Sequence, residues 1–130
     1  MSKIYKFDCD IFPLKIWVAV QPSLQQLQKR FAILDDDNVT EKEFDKDSIK
    51  PYWGACRISV VEKESRHVGS IIIVMHPDAY SDRTLVHESC HACDDFILLL
   101  DLDVVGETRA YLTEWIFDRA KSVIDKELDV

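Results

Sequence analysis

Two histidines four residues apart are the side chains of this chain best suited to chemistry. They lie in the sequence His87-Glu88-Ser89-Cys90-His91, which is an H-E-x-x-H pattern. On a helix, residues four apart share one face with their Cβ atoms about 5–6 Å apart, so both imidazoles can bind one zinc ion. The neighbouring Glu88 can reach a water on that metal and act as a general base. The pattern therefore indicates a hydrolytic zinc site, and its alternative is a solvated helix with two incidental histidines.

A catalytic zinc site needs a third protein ligand, and several carboxylates could supply it. Glu107 is the best candidate, because it begins a later helix that could pack on the motif helix and direct a carboxylate to the metal. The alternative for Glu107 is a first-turn glutamate that the helix dipole favours. Asp94 and Asp95 lie about 10–12 Å along the axis from the first histidine, a distance that one ion does not easily span, so they are expected to orient His91 or face solvent, and Asp95 stays open as an alternative ligand. Glu114 lies about 10 Å beyond Glu107 and stays open as a further alternative.

The motif must lie on a helix, and apolar periodicity predicts one over residues 81–99, with Ser81 or Asp82 as its cap. Two strands are expected before it, at residues 55–63 and 68–76, joined by a hairpin turn. The second strand is apolar throughout, so both of its faces should be covered. The two strands and the helix would together form the frame of the site.

The remaining elements complete one α+β domain. Residues 14–20 alternate as a strand, and residues 22–34 carry an apolar stripe typical of a helix. Residues 35–51 are polar, and within them 40–43 fit either a short helix or a loop. After a turn at 101–105, a long helix is expected at 106–128.

With its H-E-x-x-H motif and the following segment 106–112, Gly-Glu-Thr-Arg-Ala-Tyr-Leu, the chain resembles the gluzincin group of zincin metallopeptidases. It is also similar to small metallopeptidase-like proteins of phages and prophages. The resemblance implies a minimal zincin-like fold, with a small mixed sheet packed on the motif helix and a long C-terminal helix. It implies that His87, His91 and Glu107 bind Zn²⁺. It further implies a peptidase that attacks peptide bonds through a metal-activated water, with Glu88 as the base.

Two positions depart from the gluzincin pattern. Asp94 places a charge where the extended pattern after the second histidine is usually uncharged, and Tyr111 stands where many gluzincins have an acid that orients a ligand. An oxyanion-stabilising group should also lie near the metal. His76 is the best placed for this catalytic role because it ends the strand before the motif helix, although a structural role for it is the more common outcome.

Cys90 and Cys93 form a C-x-x-C pair within the motif helix. The functional interpretations are a redox pair or half of a zinc knuckle. Redox pairs usually begin a helix, and the sequence has no second C-x-x-C, so both cysteines are expected to be small buried apolar residues. The four cysteines should be reduced, because the N-terminal residues lack the apolar core of a signal peptide and a cytoplasmic location is therefore expected.

The net charge of −8 argues against binding to nucleic acid or to an anionic membrane. The expected partner is a peptide or protein substrate, bound along the edge of the strand at 68–76 by strand addition. Two other functions stay open. One is a zincin-fold binding module that acts without turnover, and the other is a structural zinc domain that unfolds when the metal is removed. The sequence does not predict the oligomeric state.

Overall fold

A computed structural model of the chain describes residues 3–10, 12–35, 39–67, 69–101 and 106–128. Within these residues the fold is α+β, with six strands in one mixed sheet and three α-helices. In chain order the strands and helices are β1 (Ile4–Asp8), β2 (Lys15–Val20), α1 (Leu24–Arg30), β3 (Phe31–Leu34), β4 (Glu41–Lys42), β5 (Ala55–Glu62), β6 (Ser70–Met75), α2 (Asp82–Leu99) and α3 (Glu107–Leu128).

The sheet has the strand order β1-β2-β6-β5-β3-β4. The pairing of β2 with β6 is parallel and the other pairs are antiparallel. All six residues of β6 are buried, which confirms that this strand is covered on both faces. The expectation that a peptide adds to its edge is wrong, because β2 and β5 already pair with its two sides.

Each face of the sheet has its own apolar core. The helices α2 and α3 cover one face, where alternate residues of β2 and β6 meet Leu85, Phe96 and Ile116. On the opposite face, Trp17 and Phe31 pack with their rings edge to face at 5.1 Å between centroids. The sheet therefore lies between the two apolar cores. One side of α2 packs against the sheet, and its other side faces solvent.

The expected helix at residues 22–34 is correct only in its first part. Ser23 caps α1 through a capping box with Gln26, and the helix ends at Arg30. Residues 31–34 instead form β3, and all four are buried. Four consecutive apolar side chains can all be buried in a strand that is covered on both faces, whereas a surface helix would expose at least one of them. The segment at 40–43, expected as a helix or loop, contains the short strand β4.

The two long helices agree with the sequence prediction to within a residue at each end. The Oγ of Ser81 accepts a hydrogen bond from the backbone N–H of Thr84 at 3.2 Å, which caps α2. The expected turn at 101–105 lies, apart from Asp101, outside the described residues. Among the helices that the structure describes, none is both long enough and apolar enough to cross a membrane.

Gly54 links a short 3-10 helix, Pro51–Trp53, to the start of β5. Its φ of +77° lies in the left-handed region, and its carbonyl accepts the backbone N–H of His76 at 2.9 Å. A Cβ atom at this position would lie 2.5 Å from the carbonyl oxygen of Ala79. The close approach of two backbone segments therefore requires glycine here.

We predict that Gly54→Ala lowers the free energy of unfolding by at least about 2 kcal/mol, because backbone strain adds to a clash with main-chain atoms. Gly106→Ala is the matched control. Gly106 also has a positive φ, +61°, but a Cβ there meets no atom within 4 Å. Its loss should stay near 1 kcal/mol. Urea unfolding of both variants tests this, and equal losses would show that the contact with Ala79 is unimportant.

Candidate functional site

The rotation of α2 about its axis decides which motif residues are available. Leu85, Ala92 and Phe96 are fully buried against the sheet and α3. His87 lies on the opposite side of the helix, and its side chain is 68% exposed. The helical repeat that turns Leu85, Ala92 and Phe96 toward the core therefore turns the two imidazoles toward solvent.

The imidazoles of His87 and His91 lie close together. Their Nε2 atoms are 3.1 Å apart, and the ring centroids are 4.6 Å apart with the planes at 78°. Two nitrogen ligands of a tetrahedral zinc ion, each about 2.0–2.1 Å from the metal, lie about 3.3 Å apart. The pair thus matches two corners of a zinc tetrahedron. In the absence of metal, the same contact suits an N–H···N hydrogen bond between complementary tautomers.

Glu88 lies on the side of α2 that faces β5, and its side chain is only 13% exposed. Its Oε1 accepts the backbone N–H of Arg57 at 3.2 Å. Its Oε2 lies 3.8 Å from Nε2 of His87. One carboxylate oxygen is therefore held by the strand, while the other faces the histidine pair. The structure thus brings His87, Glu88 and His91 together, as the motif predicts.

Arg57 also lies at this site, although the sequence pattern did not identify it as a site residue. Its Nη1 lies 3.8 Å from Oε1 of Glu88, and its Nε lies 3.3 Å from Oδ2 of Asp95. Burial raises the pKa of Asp95, and the charge of Arg57 opposes that rise. The sequence signal was a single arginine in the interior of a strand whose other residues, apart from the terminal Glu62, are apolar or small. Its partners lie far along the chain, so the sequence could not identify them.

Part of β5 has a free edge beside this cluster. The register pairs β3 with Val60, Val61 and Glu62 of β5, and no described strand pairs with residues 55–59 on that side. A groove of about 480 Å³ lies there, and its lining includes Trp53, Thr84 and Glu88. The groove therefore joins an unpaired strand edge to the carboxylate of the motif.

The helices α2 and α3 run antiparallel in a fixed register. Asp94 forms an ion pair with Arg109, and Asp82 lies 3.0 Å from Nζ of Lys121. The same number of residues separates the two acidic partners on α2 and the two basic partners on α3. The levels of all other residues on the two helices follow from these two contacts.

This register separates the two candidate ligands of α3. Glu107 lies near the level of Phe96, about 7 Å along the axis from His91 and about 13 Å from His87. Glu114 lies near the level of Ser89, midway between the two histidines. Consistent with this, Glu114 and Ser89 both line a groove of about 280 Å³ between the helices.

The described residues contain no group of three or more histidine, cysteine, aspartate or glutamate side chains that could hold a metal. Glu107, Glu114 and His76 therefore form no such cluster with the histidine pair in this structure, and the ligand role of Glu107 stays a prediction. His76 is half-buried at the end of β6, where burial lowers its pKa. Its role in stabilising an oxyanion also stays a prediction.

The cysteines of the C-x-x-C pair differ in their surroundings. Cys93 is buried, and its Sγ donates to the carbonyl of Arg109 at 3.6 Å. Cys90 is exposed, so the expectation that both are buried is wrong for this residue. On α2, position 93 faces α3, whereas position 90 is rotated toward solvent. All four cysteines are free thiols.

Comparisons of the chain with protein-family models, with curated proteins and with solved structures give no match. The likeness to gluzincins therefore rests on the motif and on the residues that follow it.

We predict that the protein binds one zinc ion per chain and that His87→Ala lowers zinc affinity by more than about 100-fold. The loss of a ligand should exceed the 10–100-fold cost of losing a group that only supports a ligand. His67→Ala is the matched control, because His67 lies in the turn after β5 and contacts Ser70 at 3.2 Å. Competition with a chromophoric chelator measures both affinities. An unchanged affinity in His87→Ala would place the metal elsewhere.

Proposed function

We propose that this protein is a zinc-dependent metallopeptidase that hydrolyses peptide bonds. The observation that carries the proposal is the 3.1 Å separation of the His87 and His91 Nε2 atoms, with Oε2 of Glu88 3.8 Å from the nearer one. Zinc, when bound, would supply a Lewis acid that activates water and polarises the scissile carbonyl. The two imidazoles would bind the ion, and Glu88 would accept the proton of the attacking water and pass it to the leaving amine.

Glu88 has the surroundings that a general base needs. Its carboxylate is mostly shielded from solvent, and the N–H of Arg57 restrains one of its oxygens. The other oxygen is free to accept a proton from the attacking water and to return it to the leaving amine. A restrained carboxylate requires little reorganisation during these transfers.

The free edge of β5 is a suitable place for an extended substrate. Since Gly54 bonds to His76 on the β6 side, the backbone groups of residues 55, 57 and 59 point to the open side. The N–H of Arg57 points the same way but is bonded to Glu88, so an added strand would pair with the other outward backbone groups, those of residues 55 and 59 and the carbonyl of Arg57. A peptide added here as a strand would run beside the general base. We therefore propose β5, rather than β6, as the strand that binds the peptide.

For the third ligand, we propose Glu114 in place of the expected Glu107. Its support is axial: the register of α2 and α3 puts Glu114 at the level of the histidine pair, and because the imidazoles lie on the side of α2 that faces away from α3, its side chain would have to reach around α2 to join them.

The proposal includes a reducing, cytoplasmic location, in which the four cysteines would stay thiols. It also includes a peptide or protein as substrate rather than nucleic acid or a membrane surface, because the chain carries a net charge of −8.

Glu88→Gln should retain zinc and fold but lose hydrolysis by about 10²–10⁴-fold, because the amide preserves size and removes the base. Glu127→Gln, a change of the same type at an exposed position of α3, should retain full activity. Cleavage of a fluorogenic peptide library, with metal content measured in parallel, tests both. Undiminished cleavage by Glu88→Gln would exclude the mechanism.

Glu114→Ala should weaken zinc binding by at least about 10-fold, whereas Glu107→Ala should leave it within about twofold, because only Glu114 is level with both histidines. Both glutamates are exposed on α3, so each variant controls for the other. The assignment would be reversed by a loss confined to Glu107→Ala.

A second candidate function is a binding module that captures extended peptides without cleaving them. The described residues favour it in one respect, because they contain no complete group of three metal ligands. Such a module would bind peptides equally well as wild type and as Glu88→Gln, with no turnover in either form.

A further inference from the structure

Arg57 lies between two carboxylates of the same helix. Glu88 and Asp95 are two turns apart on α2, and the guanidinium of Arg57 contacts both from β5. The three side chains are 33%, 13% and 29% exposed for Arg57, Glu88 and Asp95, so solvent screens them only in part. This cluster lies directly beside the proposed base.

The two contacts of the guanidinium are unequal. Its Nε lies 3.3 Å from Oδ2 of Asp95, an ionic contact without the alignment of a hydrogen bond. Its Nη1 lies 3.8 Å from Oε1 of Glu88, too far for a hydrogen bond. Glu88 instead accepts the backbone N–H of Arg57. The guanidinium thus lies near Glu88 without forming a hydrogen bond to its carboxylate.

A guanidinium and a carboxylate normally pair through two parallel hydrogen bonds. If Arg57 paired with Glu88 in this way, both oxygens of the proposed base would be occupied. Asp95 contacts the same guanidinium from the other side, two turns further along α2. The Oε2 atom of Glu88 remains directed at His87.

We propose that Asp95 is a positioning residue, which restrains the Arg57 guanidinium so that one oxygen of Glu88 stays free for proton transfer. The inference rests on the proposed hydrolytic function of Glu88. The arrangement of the three side chains can nevertheless be tested without activity.

The kinetic test is a double-mutant cycle between Asp95→Asn and Arg57→Lys. Asp95→Asn should lower kcat by at least 10-fold, with KM and zinc content within about twofold of wild type. In the Arg57→Lys background the same change should cost less than about threefold, because an ammonium group has no fork that can occupy both carboxylate oxygens. Asp94→Asn is the matched control, since the neighbouring Asp94 pairs with Arg109 instead. An equal loss in both backgrounds would overturn the proposal.

The second readout is the backbone amide of Arg57 in the zinc-free protein, followed by ¹⁵N–¹H NMR. Asp95→Asn should move its proton resonance upfield, as Glu88 leaves that N–H for the guanidinium, and Asp94→Asn should leave it in place. An unmoved resonance in Asp95→Asn would contradict the restraint. If the wild-type protein cleaves no peptide, the hydrolytic function fails, and this resonance still decides whether Asp95 controls the position of Glu88.

Discussion

The rotational setting of α2 on the sheet is the constraint on which the site depends. Burying side chains such as Leu85 and Phe96 contributes about 1.5–3 kcal/mol each. A rotation by one residue, about 100°, would expose them and force the polar motif residues inward. The apolar stripe therefore fixes the directions of His87, Glu88 and His91 before any metal binds. The core, rather than contacts within the motif, presents the pair outward.

The second structural feature of the site is the charge cluster at the junction of α2 and β5. Taking Glu88, Arg57 and Asp95 partly out of water costs free energy, which their mutual attraction only roughly offsets. Apolar side chains of similar volume often hold such a junction together equally well. We propose that the cluster serves instead to place a carboxylate beside two imidazoles.

Most helices and strands could be predicted from sequence, because a long periodic pattern of apolar residues indicates the type of secondary structure. The helices at 82–99 and 107–128 and the strands β2 and β5 have such patterns, and β6 is recognised instead by its continuous apolar run. The stretch 31–34 could not be assigned, since four apolar residues fit a buried strand or the end of a helix equally well. The histidine pair follows from local spacing. Arg57 and the relative levels of Glu107 and Glu114 depend on packing between distant segments, which local patterns do not encode.

We propose that α2 supplies two imidazoles to one zinc ion whose other ligands are oxygens. X-ray absorption at the zinc edge of the purified protein tests it most directly. We expect a first shell of nitrogen and oxygen atoms only, at about 2.0–2.2 Å, with the outer-shell scattering of two imidazoles. A contribution from sulfur near 2.3 Å would contradict the account, because it would bring Cys90 or another thiol into the site in place of a carboxylate or water.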